Sequence, residues 1–359
     1  MADTQTSNAF VEFERVQKSY DGENLVVKDL NLIMPKGEFL TMLGPSGSGK
    51  TTCLMMLAGF ETATHGDIRL DGVSINNIPP HKRGIGMVFQ NYALFPHMTV
   101  AENLSFPLEV RKLGKTEREA KVKRALDMVQ MGAFGGRRPA QLSGGQQQRI
   151  ALARALVFEA ELVLMDEPLG ALDKQLREHM QYEIKHLHES LGITVVYVTH
   201  DQTEALTFAD KVVVMYDGRV VQIGTPDELF ERPQHTFVGY FIGSPGMNVI
   251  PATVSGKTAV VHGSEITLSQ GYDALEGKVE LGVRPEFITL TENEGLPVEG
   301  RRVEDVGRHK IVRAELFGNE INILAGEDQS ISPDLNHITF DQSRINVYVN
   351  DWLKEGSAA

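Results

Sequence analysis

The stretch EFLTMLGPSGSGKTTCLMMLAGF, Glu38 to Phe60, constrains the fold more than any other part of the chain. An apolar run, a glycine-rich turn and a second apolar run follow one another without a break. Gly44-Pro45-Ser46-Gly47-Ser48-Gly49-Lys50-Thr51 fits the G-x-x-x-x-G-K-[ST] pattern, and Thr52 continues it into the second run. Glycines in such a turn let successive backbone N–H groups point inward at phosphate oxygens. The helix that begins at its end adds a positive dipole. Lys50 supplies a point charge to the β- and γ-phosphates, and the Thr51 hydroxyl can ligate Mg2+. A flexible Gly/Ser linker would not be bounded so closely by a strand and a helix. The turn is therefore read as an anion cradle, which commits this part of the chain to an α/β architecture.

The rest of the chain extends that reading. Residues 11–43 carry strand patterns, and IRLDGVSI reads as a hairpin turning at Asp71-Gly72. TVAENLSFPLEV, KTEREAKVKRALDMVQMG, QQQRIALARALVF and REHMQYEIKHLHESLG have helical spacing. ELVLMDEP and ITVVYVTH are short, continuously apolar runs, typical of strands buried on both faces. Helix-sized and strand-sized segments alternate to about residue 230, the signature of a layered α/β domain. From about residue 245 short β-like runs dominate, among them VIPATV, KVELGVRP, INILAG and RINVYVN. That tail is expected to be a small β-barrel-type domain. Gly243, Pro245 and Gly246 mark the expected boundary, giving domains 1–244 and 245–359 with a helical subdomain at about 91–160. No internal repeat or low-complexity segment is present.

ELVLMDEP offers the second half of a nucleotide site. Leu162 to Met165 form the strand, and Asp166 and Glu167 emerge at its C-terminal end, where open α/β sheets bind ligands. Asp166 is placed to hold Mg2+ and Glu167 to polarise an attacking water as general base. A helix-capping acidic pair is the plainer alternative, and the cradle upstream argues against it. ITVVYVTH repeats the geometry and ends at His200, which can reach a γ-phosphate and its water. On its own that histidine would read as a structural strand end. These residues imply a phosphate-loop NTPase and leave open what hydrolysis drives.

Leu142-Ser143-Gly144-Gly145-Gln146, lying before the Asp-Glu strand, matches the signature of ATP-binding cassette (ABC) ATPases. With it the chain resembles that family over residues 11–240. The resemblance implies that Tyr20 stacks on adenine and that Gln90 links nucleotide, metal and transmembrane subunit. It also implies that Asp173, in Gly170-Ala171-Leu172-Asp173, belongs to the D-loop, although Gly170 stands where the family often has Ser. His200 matches the switch histidine. Ser143 and Gly145 are expected to close over the γ-phosphate of ATP held by a second copy, so a homodimer is implied. The tail, including Arg284-Pro285-Glu286, resembles the OB-like regulatory domain of maltose-importer ATPases. Tyr92, Leu94 and Phe95 would then lie in the segment facing the membrane partner, although core packing also explains an apolar run there.

Composition narrows the classes. The hydrophobic fraction is 42%, enough for a sizeable core. A net charge of −13 argues against a nucleic-acid partner, which would need clustered Lys and Arg. One cysteine, Cys53, excludes an intrachain disulfide and fits a reducing compartment. No apolar run is long enough to cross a membrane. MADTQTSNAF shows neither the basic region nor the apolar core of a signal peptide, so a cytoplasmic chain is expected.

The resemblance thus implies an ATP- and Mg2+-dependent subunit of a bacterial importer. It would sit peripherally on the cytoplasmic face of the inner membrane, under two permease subunits fed by an external solute-binding protein. A soluble ABC ATPase of DNA repair or translation is the competing class, but such chains usually carry coiled-coil insertions or a second cassette, and this one has neither. FIGSPGMN and the tail look like the sugar, polyol and glycerol-phosphate subgroup, whereas FQNYALFPHMTV and DEPLGALDKQLRE look closer to polyamine importers. The first subgroup is preferred.

Overall fold

Two units make up the chain, Met1–Pro226 and Asp227–Ala359. The computed structural model describes residues 9–332 and 334–357. The opening MADTQTSN, part of the stretch read as lacking a signal peptide, lies outside the described residues.

In the first unit the order is β1 (Ala9–Ser19), β2 (Leu25–Pro35), β3 (Phe39–Leu43), α1 (Lys50–Ala58), β4 (His65–Leu70), β5 (Val73–Ser74) and β6 (Gly86–Val88). There follow α2 (Val100–Val110), α3 (Lys115–Met128), α4 (Gly144–Leu156), β7 (Leu162–Asp166), α5 (Lys174–Leu191), β8 (Thr194–Thr199), α6 (Gln202–Phe208), β9 (Lys211–Tyr216) and β10 (Arg219–Gly224). The strands form an antiparallel sheet, β2-β1-β4-β5, and a six-stranded sheet, β10-β9-β3-β8-β7-β6. In the larger sheet β6, β7, β8, β3 and β9 run parallel, and β10 closes the edge antiparallel. Every residue of β3, β7 and β8 is buried, as the continuous apolar runs require of central parallel strands.

Register decides where function can collect. Leu43 lies opposite Thr199, Asp166 opposite Val198, and Val88 opposite Met165. The chain therefore leaves β3, β8, β7 and β6 at one sheet edge, delivering Gly44, His200, Glu167 and Gln90 there. Helices α2, α3 and α4 share a separate apolar core that includes Leu104, Leu108, Leu126, Ile150 and Val157. Two of the three start on capping boxes, Thr99 with Glu102 at α2 and Ser143 with Gln146 at α4. Cys53 is fully buried in α1 and its thiol is pushed up to about 12 by burial, so it behaves as a small hydrophobe.

The second unit contains α7 (Pro226–Glu231), α8 (Thr236–Phe241), β11 (Asn248–Pro251), β12 (Thr253–Val261), β13 (Ser264–Tyr272), β14 (Val279–Val283), β15 (Ile288–Thr291) and β16 (Leu296–Pro297). It ends with β17 (Glu299–Asp305), β18 (His309–Leu316), β19 (Asn319–Gly326), β20 (His337–Phe340), β21 (Asn346–Val349) and β22 (Trp352–Lys354). These pair antiparallel in small sheets around one core that includes Ile250, Leu281, Val312, Ile323, Ile338 and Val347. The division at Pro226 precedes the Gly243–Gly246 cluster where composition alone marks a boundary. The reason is that the two short helices pack on the second unit. Arg284 donates to the carbonyls of Phe230 at 2.6 Å and Ile242 at 2.7 Å, and Tyr348 Oη donates to Pro233 O at 2.8 Å.

Candidate active site

The cradle turn has the close approaches that its glycines allow. A Cβ on Gly44 would stand 2.2 Å from the Met215 carbonyl oxygen of β9. Gly49, at φ +98°, has the Val26 carbonyl 2.9 Å from where a Cβ would be. Lys50 is buried and folds back over the loop, donating to Gly44 O at 2.8 Å and Pro45 O at 2.9 Å, with Ser48 Oγ at 3.4 Å. Burial pulls its ammonium below the ordinary lysine range, while Glu167 and Asp166 pull it back up. The ammonium is thus costly as it stands and is placed where phosphate oxygens would compensate it.

Thr51 donates from Oγ1 to Asp166 Oδ1 at 3.0 Å, joining the first turn of α1 to the end of β7. Burial raises the Asp166 carboxyl, the Thr51 hydrogen bond lowers it, and repulsion from Glu167 raises it further. A hydroxyl and a buried carboxylate in contact are hard oxygen donors that suit Mg2+.

Glu167 follows in the left-handed region, at φ +44°, a conformation that costs a side-chain-bearing residue about 1–2 kcal/mol. Its N–H donates to Val198 O at 3.0 Å and its carbonyl accepts from Gly170 N at 3.2 Å, which fixes the turn. The carboxylate is met from both sides: Gln90 Nε2 donates to Oε2 at 3.2 Å, and His200 Nδ1 lies 3.1 Å from Oε1. Gln90 and His200 are both exposed, so this cluster faces solvent and can admit a water and a phosphate.

The signature residues make local contacts. Ser143 caps α4 through Gln146 N at 3.4 Å, and Gln146 Oε1 accepts from Ser143 N at 3.0 Å. Ser143 and Gly144 are exposed, Leu142 and Gly145 buried. The result is a helix of thirteen residues whose N-terminus faces outward. Asp173 caps α5, accepting from Leu176 N at 3.0 Å. Tyr20 is 59% exposed, with its hydroxyl 3.5 Å from Thr52 Oγ1 and its ring under Lys18 Nζ at 4.7 Å.

Comparison with known proteins bears on this arrangement. Residues 27–170 match the ABC transporter family and residues 243–288 the MalK OB fold domain. The sn-glycerol-3-phosphate import ATP-binding protein UgpC of Bordetella avium is 42% identical over 345 residues, 92% of this chain and 95% of that protein. The chain belongs to the ABC transporter ATPases, among their import ATP-binding proteins. The trehalose import ATP-binding protein SugC of Mycobacterium tuberculosis is 48% identical over 78% of this chain and 73% of its own length. The spermidine/putrescine import ATP-binding protein PotA of Clostridium novyi is 45% identical over 81% of this chain and 83% of its own. Among solved structures, the dimeric post-hydrolysis state of the cassette MJ0796 bound to ADP and Pi covers 60% of this chain and 98% of that one, with a TM-score of 0.55 and 35% identity.

This ABC ATPase also contains site-supporting groups that sequence reasoning passed over. Glu204, in the first turn of α6, is buried and accepts from Tyr197 Oη at 2.8 Å and Thr199 Oγ1 at 2.7 Å. Its carboxyl is raised by burial. An acidic residue in a first helical turn is ordinary, so sequence gave no sign of burial. Arg83 donates to the carbonyls of Met56 at 2.8 Å and Leu57 at 2.9 Å, closing the end of α1. Arg154 of α4 donates to Tyr92 O at 2.9 Å and Ala93 O at 2.8 Å. Tyr92 itself is 7% exposed and packs in the core beside Val88 and Met165, so core packing accounts for that residue; Leu94 and Phe95 remain half-buried.

Proposed function

We propose that the chain binds ATP at the sheet edge and hydrolyses it to drive solute import through partner permease subunits. The observation that carries the reading is Glu167, which touches both Gln90 and His200 and follows Asp166, itself bonded to Thr51 of the cradle. The cradle N–H groups from Ser46 to Thr52, with Lys50, hold the phosphates, and Tyr20 takes the adenine face. Glu167 accepts a proton from water as its oxygen attacks the γ-phosphorus. The bond from that phosphorus to the bridging oxygen breaks, giving ADP and phosphate. Gln90 and His200 orient the carboxylate and the water. Thr51 and Asp166, with Gln90 at the edge, would hold Mg2+. When bound, that ion neutralises developing charge on the phosphate oxygens.

Ser143 and Gly145 support a dimer. Their helix N-terminus is a second anion site in a chain that already has one. Each copy would close its signature over the other's γ-phosphate, so hydrolysis loosens the pair. No helix among the described residues is long and apolar enough to cross a membrane. As an importer ATPase, the cassette would act peripherally, on the cytoplasmic face under two permease subunits, with a solute-binding protein beyond them. A sugar, polyol or glycerol phosphate is the proposed solute, supported by the glycerol-phosphate relative aligning over nearly its whole length, tail included.

The complex in proteoliposomes, with its binding protein, tests both levels. Stimulation of ATP hydrolysis by sn-glycerol-3-phosphate or a sugar is expected. Stimulation by spermidine alone would reassign the solute, and absence of ATP hydrolysis would defeat the reading itself.

A further inference from the structure

Arg177, four residues into α5, sits between two loops that the proposed hydrolysis uses. Its Nη2 donates to Leu172 O at 3.0 Å, at the end of the Gly170–Asp173 loop. Its Nη1 donates to Asp201 Oδ2 at 3.2 Å, in the turn directly after His200. The remaining donor, Nε, is buried without a hydrogen bond and lies 3.9 Å from Glu204 Oε1, beyond hydrogen-bond reach.

The turn that carries His200 is otherwise braced from below. Thr199 Oγ1 accepts from Asp201 N at 3.0 Å and donates to Glu204 Oε2 at 2.7 Å. Asp201 Oδ1 caps α6 through Thr203 N at 2.8 Å and Glu204 N at 3.2 Å. Asp201 thus spends one oxygen on its own helix and the other on Arg177. The loop before α5 is held by Asp173 as cap and by the same guanidinium as second anchor. One planar cation spans both segments, and a guanidinium fixes two acceptors in a rigid relation that a lysine cannot reproduce.

We propose that Arg177 is a positioning residue for hydrolysis, tying the Gly170–Asp173 loop to the turn that presents His200 to Glu167. The proposal rests on the reading of His200 and Glu167 given above. When the loop shifts, the guanidinium carries the shift to Asp201, and the His200–Glu167 contact at 3.1 Å changes with it. The unmade Nε bond to Glu204 leaves travel for that movement. Nothing in the link touches the cradle, so it acts on turnover and leaves ATP affinity alone.

The test uses the full chain, with Arg177→Ala, Arg177→Lys and Asp201→Asn. Asparagine keeps the α6 cap while removing the charge that Arg177 meets. Steady-state ATP hydrolysis and equilibrium binding of ATP are measured, with circular dichroism melting as the check on folding. Arg177→Ala is expected to lower kcat about tenfold or more, because small displacements of reacting groups are costly. KM and ATP affinity should stay within about twofold, and Arg177→Lys should recover part of the loss. Arg177→Ala and Asp201→Asn together should cost less than the product of their separate effects, since both break one link. Unchanged kcat, a loss of affinity matching the loss of kcat, or multiplicative effects of the pair would overturn the proposal. Should Arg177→Ala melt below the assay temperature, Arg177→Lys with Asp201→Asn completes the same cycle. A wild-type chain that hydrolyses no ATP would remove the underlying reading instead.

Discussion

Arg154 offers a perturbation whose size can be worked out. Its guanidinium is buried on α4 and, among the described residues, meets no carboxylate; burial lowers it from the ordinary arginine range. Its charge is met by the carbonyls of Tyr92 and Ala93, at 2.9 and 2.8 Å, in the loop that follows Gln90. Both residues are left-handed, at φ +62° and +46°, which stores about 1–2 kcal/mol in each. Arg154→Met keeps the apolar stem and removes both donors. Two carbonyls left dry would cost about 1–3 kcal/mol each. Relief of the two strained residues and of the buried charge offsets part of that, because the freed loop can turn outward and rehydrate. A net loss of about 2 kcal/mol is expected, concentrated in the loop, which is roughly thirtyfold in its opening equilibrium. Hydrogen exchange reads this directly, since Tyr92 N donates to Phe89 O and Ala93 N to Asn91 O. Those amides should exchange about thirtyfold faster while β7 and β8 keep their protection. Exchange within twofold of wild type, with an unchanged melting temperature, would refute the claim that α4 holds this loop.

Gly49→Ala should destabilise the chain by about 1–3 kcal/mol in urea titration, because its backbone is left-handed and a Cβ would stand 2.9 Å from Val26 O; wild-type stability would contradict the cradle geometry. Glu204 gives a pH dependence. Its folded carboxyl is raised by burial, so its contribution to stability is full at pH below the unfolded value and is lost as pH rises through the folded value. Melting temperature of the ligand-free protein should fall across that window in wild type and less so in Glu204→Gln; parallel profiles would show that Glu204 is ionised in the fold.

Much of the candidate site was legible because its chemistry is local. The cradle needs adjacent glycines and a lysine, and the Asp-Glu pair needs a buried strand before it; both are contiguous in sequence. The supporting shell was not legible, because it depends on burial that only packing decides, whether the partners are near in sequence, as Tyr197 and Thr199 are to Glu204, or far, as Tyr92 is from Arg154. Nothing in the local sequence distinguishes Arg83, Arg154, Arg177 and Glu204 from surface charges, and only packing turns them into ties between segments. Strand β17, EGRRVED, shows no alternation of buried residues and exists because β18 offers it a partner. The helices α7 and α8 could not be assigned by composition, since Arg284, far along the chain, decides which unit they join.

The central claim is that Glu167 takes the proton from the attacking water. Single-turnover hydrolysis of bound ATP by Glu167→Gln measures this most directly. The account predicts ATP affinity within a few-fold of wild type and a hydrolysis rate lower by about a hundredfold or more. Hydrolysis at near the wild-type rate would contradict it.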